Sequence, residues 1–264
     1  MKKIYLYLLI NFFGCFVASN LLDLTKNNIL NGNISLYQPK KGFRIGVDSI
    51  LLASSVNNYS NCIEFGTGSG IILIYLSKKF PNSKILGIEK NLDLVNLVKK
   101  NLKENEIANG SAEVIQYDIN DSIFLKNNNN EYDRVIMNPP YFSPNKVILS
   151  RDVSKISARY ENDINSWFTA AYKKLKNKGC LNFIFRTESL DLILSLLYPK
   201  WGDIKIFPLW PKKNIKSKLM IIQAKKNVKS GVQILPGLIL HNNDGSYTKA
   251  CNNILSFKSF IELS

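Results

Sequence analysis

One histidine, His241, stands among 264 residues, and it falls late in the chain. A Ser-His-Asp or Cys-His nucleophile and a His-rich metal centre are therefore close to excluded. Any chemistry must run on positioning and electrostatics rather than on an imidazole base. Cysteine is scarce too: Cys15, Cys62, Cys180 and Cys251 lie far apart, with no C-x-x-C pair. That argues against a zinc site and a disulfide framework, fits a reducing compartment, and leaves no metal expected. Acidic residues are the third shortage, 20 Asp+Glu against 35 Lys+Arg, for a formal net charge of +15. A field of that sign favours polyanions, nucleic acid first and an anionic membrane surface second, although a genome rich in Lys and Asn codons gives the same bias. Internal repeats and linkers are also missing, and at 45% hydrophobic residues the chain can build one sizeable core.

Residues 1–20 are set apart from the rest. Lys2 and Lys3 precede an apolar run from Ile4 to Ala18, broken by Asn11, and Val17-Ala18-Ser19 closes it with small residues. The pattern fits a secretory signal peptide, an N-terminal anchor or an extension upstream of the true start, and it is short for a transmembrane span. The body reads as a user of a cytosolic cofactor. The expectation is thus a hydrophobic leader or extension over 1–20 and one domain over 21–264. That domain is expected to be cytoplasmic and without stable membrane association, with a monomer favoured and the oligomeric state left open by the sequence.

Chemistry-bearing residues begin at Cys62-Ile63-Glu64-Phe65, a short apolar strand, followed by Gly66-Thr67-Gly68-Ser69-Gly70 and a helix predicted over Ile71 to Lys79. A strand, a glycine-rich turn and a helix amino end form a nucleotide-type cradle. Dinucleotide folds want G-x-G-x-x-G. Here the spacing is G-x-G-x-G with Glu64 just ahead, the usual form in S-adenosylmethionine enzymes. A second strand, Lys84 to Ile88, ends at Glu89, about 20 residues beyond the glycines, where a carboxylate can take both ribose hydroxyls. Asn91 should cap a helix running through Leu102. A third strand, Ala112 to Gln116, ends near Asp118, a position suited to a cofactor's adenine amine. Upstream, Ile34 to Arg44 reads as a short strand and turn, and Asp48 as the N-cap of a helix over Ile50 to Ala53.

The fourth strand stops at Val135-Ile136-Met137-Asn138-Pro139-Pro140-Tyr141-Phe142. Pro139 pushes the residue before it out of the α region, and neither proline has an N–H, so no helix or ladder continues through them. A rigid corner results at the carboxyl end of a strand, the edge where open α/β sheets bind ligands. The Asn138 side-chain carbonyl and the Pro139 backbone carbonyl can accept both hydrogens of a planar –NH2 group. That draws the nitrogen lone pair out of conjugation and makes the amine of adenine, cytosine or glutamine a passable nucleophile. Tyr141 offers a face for stacking. A Pro-Pro loop with a capping Asn is the plain structural alternative.

Beyond the corner, Ser143 to Ile156 reads as a loop able to close on substrate. A helix is predicted from about Ile164 to Leu175 with Gly179 as its stop, then a strand over Cys180 to Phe185 and a helix over Ser189 to Leu197. Two more strands follow, Asp203 to Leu209 and Leu219 to Ala224. Lys212, Lys213, Lys216, Lys218, Lys225, Lys226 and Lys229 lie between and after them, with Trp201, Phe207 and Trp210 interleaved. Basic residues with aromatics suit single-stranded or loop RNA, and a solvated lysine-rich face is the competing reading.

Strands alternating with helices and ending in a hairpin predict an α/β fold. It resembles the class I S-adenosylmethionine-dependent methyltransferases: a Rossmann-like, mostly parallel seven-stranded sheet with helices on both faces and an antiparallel C-terminal hairpin. In order along the chain come Gln38, Lys41-Gly42-Phe43-Arg44, Asp48, Glu64 to Gly70, Asn138-Pro139-Pro140-Tyr141, Ala158-Arg159, and a tail of Leu238 to His241 with Gly245-Ser246-Tyr247-Thr248. This set resembles the bacterial family that methylates N6 of adenine 37 in valine tRNA. Phe43 stands where that family often has Tyr, and the hydrophobic leader is foreign to it. The resemblance implies S-adenosylmethionine as cofactor and tRNA as partner. It implies catalytic roles for Asn138, Pro139, Pro140 and Tyr141, with the last stacked on the base. Gln38, Phe43, Glu64, Gly66, Thr67, Gly68, Gly70, Glu89 and Asp118 would bind the cofactor, and Arg44, Arg159, Lys212 and Lys213 the substrate.

Three rivals differ in testable features. Glutamine methylation of release factors uses the same corner, but that family carries a helical domain ahead of the glycine loop, and only about forty residues separate Leu21 from Cys62 here. A non-catalytic RNA-binding factor need not keep an acceptor pair beside an aromatic. A dinucleotide-dependent oxidoreductase is disfavoured by the glycine spacing.

Overall fold

The computed structural model describes residues 23–41, 44–140 and 153–263, with only the helix backbone over 153–162. Expectations for the leader, for Phe43, for Tyr141 and for the loop from Ser143 to residue 152 lie outside the described residues.

Two strands, β1 (Leu24–Ile29) and β2 (Ile34–Pro39), pair as an antiparallel hairpin of their own. The chain continues through α1 (Val47–Ser54), β3 (Asn61–Phe65), α2 (Ile71–Lys79), β4 (Lys84–Glu89), α3 (Leu92–Glu104), β5 (Ala112–Gln116), α4 (Ser122–Lys126) and β6 (Tyr132–Met137). Then come α5 (Val153–Lys174), β7 (Leu175–Arg186), α6 (Leu190–Leu197), β8 (Trp201–Trp210), β9 (Leu219–Lys226), β10 (Val232–Ile234), β11 (Leu238–Ile239) and α7 (Lys249–Leu255).

The seven expected strands form one sheet in the order β5-β4-β3-β6-β7-β9-β8, parallel except for β9. Two short strands not foreseen from sequence, β10 and β11, run parallel to the outer edge of β8. The order reverses at β3, so the crevice outside the carboxyl ends of β3 and its neighbours is where such a sheet takes a ligand. Parallel strands covered on both faces read as continuous apolar runs: Val135, Ile136 and Met137 are all fully buried. Alternation divides them, Ile136 with Cys62, Ile184 and Ile221 packing toward α1, α2 and α7. Val135 and Met137 join Ile63, Phe65 and Phe183 on the opposite face, under α4, α5 and α6.

Local signals hold where they are self-contained. The Asn91 side chain caps α3, accepting from Asp93 N and Leu94 N. Other expectations are corrected. Asp48 is not the N-cap of α1; Gly46 holds that position and Asp48 sits in the first turn, its carboxylate drawn to Asn138 instead. Gly179 does not end a helix, because α5 stops at Lys174 and β7 starts at once, with an irregular register between Tyr132 and Arg134 on the facing strand. The same helix begins at Val153, eleven residues before the expected Ile164, so Val153 to Ile156 are helical rather than loop.

The hairpin is fastened by asparagine, not by apolar packing alone. Asn101, fully buried on α3, accepts from Tyr37 N and donates to Tyr37 O and to Ser69 O in the glycine loop. Asn105, one turn on, makes the same reciprocal pair with Ser35. The free edge of β2 thereby finds partners it would otherwise have to take from water. Among the described residues, no helix is long and apolar enough to cross a membrane.

Candidate active site

Register sets the geometry of the site. Phe65 on β3 lies opposite Met137 on β6, so the glycine loop and the Asn138-Pro139-Pro140 corner leave adjacent strands at one level, about 5 Å apart. Glu64 pairs with Ile136 and Asn138 follows in the same parity, so both side chains project to the α1–α2 face of the sheet.

Gly66, Gly68 and Gly70 all adopt positive φ, at 68°, 59° and 88°, a conformation glycine takes without penalty. At Gly66 a Cβ would also stand 2.7 Å from the Trp167 ring, which packs over the loop from α5. Thr67 is buried, and its N–H and that of Gly66 donate to Ile88 O. The Gly68 N–H donates to Glu89 Oε2 at 3.0 Å, and Asn91 N–H to Glu89 Oε1 at 3.0 Å. Glu89 is thus a buried carboxylate held in place by two backbone donors at the mouth of the cradle.

Glu64, one strand away, has the opposite circumstances. It is buried, and its Oε2 has no hydrogen-bond partner. Burial, and after it the charge of Glu89, hold its carboxyl well above the usual range. Ser69 Oγ is a second buried polar atom without a partner in the same loop. A glycine cradle, a buried acid with one unpartnered oxygen and an anchored carboxylate fit a ligand carrying a cationic, amino-acid-like end and a polyhydroxyl group.

At the corner, Pro139 is buried and Asn138 partly so. Asn138 Nδ2 donates to Asp48 Oδ2 at 3.2 Å and to Ser49 Oγ at 3.0 Å, both on α1. A carboxylate accepts and cannot donate, so the –NH2 end of the amide must face Asp48, and the carbonyl end is turned the other way. The acceptor needed to hold an amine is therefore oriented by α1. In sequence Asp48 looks like a helix cap and gives no sign of this link, which spans 90 residues.

The remaining candidates divide. Asp118 is exposed in the turn after β5, at this same edge, accepting from Asn120 N. Gln38 is buried, its amide joining Ile45 N to Asn27 Oδ1, and Arg44 donates to Thr25, Pro39 and Asn27. Both tie the hairpin to the segment entering α1. Arg159 lies on α5, its side chain outside the described residues.

The basic stretch is split by the hairpin that carries it. Two antiparallel pairings make β8 run the same way as β3, so Lys212, Lys213, Lys216 and Lys218 lie beyond its carboxyl end, on the active edge. Lys225, Lys226, Lys229 and Trp201 lie at the far edge, where Lys225 pairs with Asp203 and Trp201 is buried. They are no part of the same surface. A depression of ≈ 710 Å³ between the end of α3 and the start of β5 also sits at the far edge, away from the glycine loop and the corner. Among the described residues, no group of three or more His, Cys, Asp or Glu could hold a metal ion.

Comparison with known proteins agrees with this geometry. A family model described as methyltransferase small domain matches residues 44–190. A curated relative from Actinobacillus pleuropneumoniae serotype 5b, named tRNA1(Val) (adenine(37)-N6)-methyltransferase, is 25% identical over 80% of this chain and 88% of its own. Among solved structures, a predicted O-methyltransferase, Atu636 from Agrobacterium tumefaciens, superposes with a TM-score of 0.68 at 18% identity, covering 81% of this chain and 98% of its own. M. jannaschii TYW2 in complex with AdoMet gives 0.52 at 15% identity over 77% of this chain and 85% of its own.

Proposed function

The chain belongs to the methyltransferase small domain family, and we propose that it transfers a methyl group from S-adenosylmethionine to the exocyclic N6 of an adenine in tRNA, adenine 37 beside the anticodon of valine tRNA. The observation that carries this reading is the adjacency of the corner and the glycine cradle on neighbouring strands, with Asn138 held by Asp48 and Ser49. The Actinobacillus relative is named for the same reaction.

When bound, S-adenosylmethionine supplies an electrophilic methyl on a sulfonium. The residues of this chain do the rest. Gly66 to Gly70 would lay backbone along the cofactor's amino-acid end, and the buried Glu64 carboxyl would meet its ammonium, giving the unpartnered Oε2 a donor. Glu89 would receive the ribose hydroxyls on the lone pairs its two backbone donors leave over, and Asp118 would accept from the adenine amine. Asn138 Oδ1 and the Pro139 carbonyl accept the two N6 hydrogens, Pro140 keeps the corner rigid, and Tyr141 stacks on the base. No strong base is required, because the methylated amine is cationic and loses its proton readily. The target adenine must leave its stack, at about a few kcal/mol and less in an anticodon loop than in a duplex. The protein acts in the cytoplasm.

Nucleoside mass spectrometry of tRNA from cells with and without the protein tests this. N6-methyladenosine lost from the anticodon loop of valine tRNA on deletion is the expected result. No difference in N6-methyladenosine, with methylglutamine changing in a release factor, would overturn it.

A further inference from the structure

We propose that His241 and Tyr247 form a stacking platform for an unpaired base of the RNA substrate, flanked by the lysines of the β8–β9 turn. This rests on the reading of tRNA as substrate. The two rings are stacked, with centroids 4.8 Å apart and planes inclined by 26°, and a β-bridge joins their backbones. Tyr247 is 39% exposed, and the half-buried His241 packs against its ring. An exposed aromatic supported this way needs no further ordering to receive a base, and every base has a π-face.

The platform is built onto the active edge. β11 runs beside the carboxyl end of β8, Leu238 opposite Leu209 and Ile239 opposite Trp210, and delivers His241 just past that edge. The His241 N–H donates to Pro211 O, and its Nδ1 lies 3.2 Å from the same carbonyl. Lys212 Nζ donates to Asn243 O at 3.0 Å, clasping the loop to the turn. Lys213, Lys216 and Lys218 are exposed in that turn, and positions 210–218 contain no acid. Asp244, the one acid between His241 and Tyr247, has its carboxylate turned to Ser246 N and Oγ.

Charge and ring together suit a polyanion with bases, not a lipid surface, which would use no stacked ring pair, nor an acidic peptide, which has no base to stack. Four strand steps separate β6 from β11, so the platform stands roughly 19 Å from the Asn138 corner. That is too far for the nucleotide next to the target and within reach of another part of the same stem-loop. The arrangement supplies affinity and register, while the corner supplies chemistry.

The test uses the full chain and an unmodified valine tRNA transcript, with Kd from fluorescence anisotropy and kcat and KM from methyl incorporation. Tyr247→Ala should raise Kd and KM for the transcript about ten-fold, with kcat at saturating RNA and calorimetric affinity for S-adenosylmethionine unchanged. Tyr247→Phe, which keeps the ring, should behave as wild type. Lys213→Ala with Lys216→Ala should weaken binding and make log Kd less steep against log salt, by roughly one for each phosphate no longer neutralised. If Tyr247→Ala melts like wild type and binds the transcript as tightly, or loses kcat alone, the platform is wrong while the methylation reading stands. If the wild-type chain neither binds nor methylates any tRNA, the substrate reading fails and the platform with it.

Discussion

The two edges of the main sheet use lysine in opposite ways. At the edge where β6 and β7 begin, Lys174 and Lys226 are buried and serve as fasteners. Lys174 Nζ donates to the carbonyls of Phe124 and Asn127 and lies over the Phe124 ring, and burial draws its pKa down to about 8. Lys226 Nζ donates to Tyr172 O at 2.6 Å and Leu175 O at 2.8 Å. At the carboxyl edge, Lys213, Lys216 and Lys218 stand in solvent in the turn between β8 and β9. A net charge counted from composition mixes these two populations. Strand direction separates them: one set closes unsatisfied backbone carbonyls where helices and strands meet, the other faces whatever approaches the site.

Substitutions that act on one edge and spare the other sharpen this contrast. The largest effect should come from Asn138→Ala, which removes one preorganised partner of the reacting amine. Methyl transfer falls by about two to three orders of magnitude, while calorimetric affinity for the cofactor stays near wild type. A variant that turns over at the wild-type rate would strip Asn138 of the acceptor role. Next in size is Lys174→Met at the far edge. It leaves buried carbonyls without a donor and should cost about 2–3 kcal/mol of stability by denaturant titration, whereas Lys213→Ala should change stability by no more than about 0.5 kcal/mol. Equal effects from the two lysines would erase the distinction between the edges.

Asp48→Asn is a subtler break at the active edge. An amide at position 48 can donate as well as accept, so Asn138 is no longer held one way round. The expected outcome is a fall in kcat of about ten-fold, worth ~1.4 kcal/mol; an unaltered kcat means that something other than α1 orients the acceptor. Glu64→Gln acts through pH. An unfolded chain ionises a Glu near pH ~4.3, but the buried Glu64 keeps its proton to higher pH. Above the unfolded value the native state therefore binds more protons, and stability declines as pH rises toward the folded pKa. Gln cannot ionise and escapes that decline. Wild type and variant should melt together near pH ~4, and at pH 8 the variant should melt about 2–4 °C higher for each ~1 kcal/mol recovered, while binding cofactor more weakly. Parallel melting curves across that range would mean that Glu64 ionises normally.

Much of the fold could be read along the chain because its signals are local. Ile71–Lys79 and Ala112–Gln116 run as their apolar patterns predict, and Asn91 caps the helix it precedes. The misses share a cause. β1, Leu-Thr-Lys-Asn-Asn-Ile, is nearly polar, and is a strand because its partner β2 is docked on Asn101 of α3 and on Asn105, which caps that helix. Those two asparagines look like surface residues of an amphipathic helix until the hairpin covers them. α4 and α7, of five and seven residues, are too short for periodicity to register, and β10 and β11 are strands only because β8 offers an open edge.

What the residues settled by themselves is the chemistry of the two turns. Glycines that tolerate positive φ and prolines that lack an N–H act within a few bonds, so the loop at Gly66–Gly70 and the stop at Asn138-Pro139-Pro140 are legible without a fold. Tertiary structure alone decided which way the Asn138 amide faces, because the carboxylate that sets it comes from 90 residues away. It also decided which lysines share the active edge and that His241 finds Tyr247 beside them, since the direction of a strand in a sheet depends on its neighbours rather than on its own sequence.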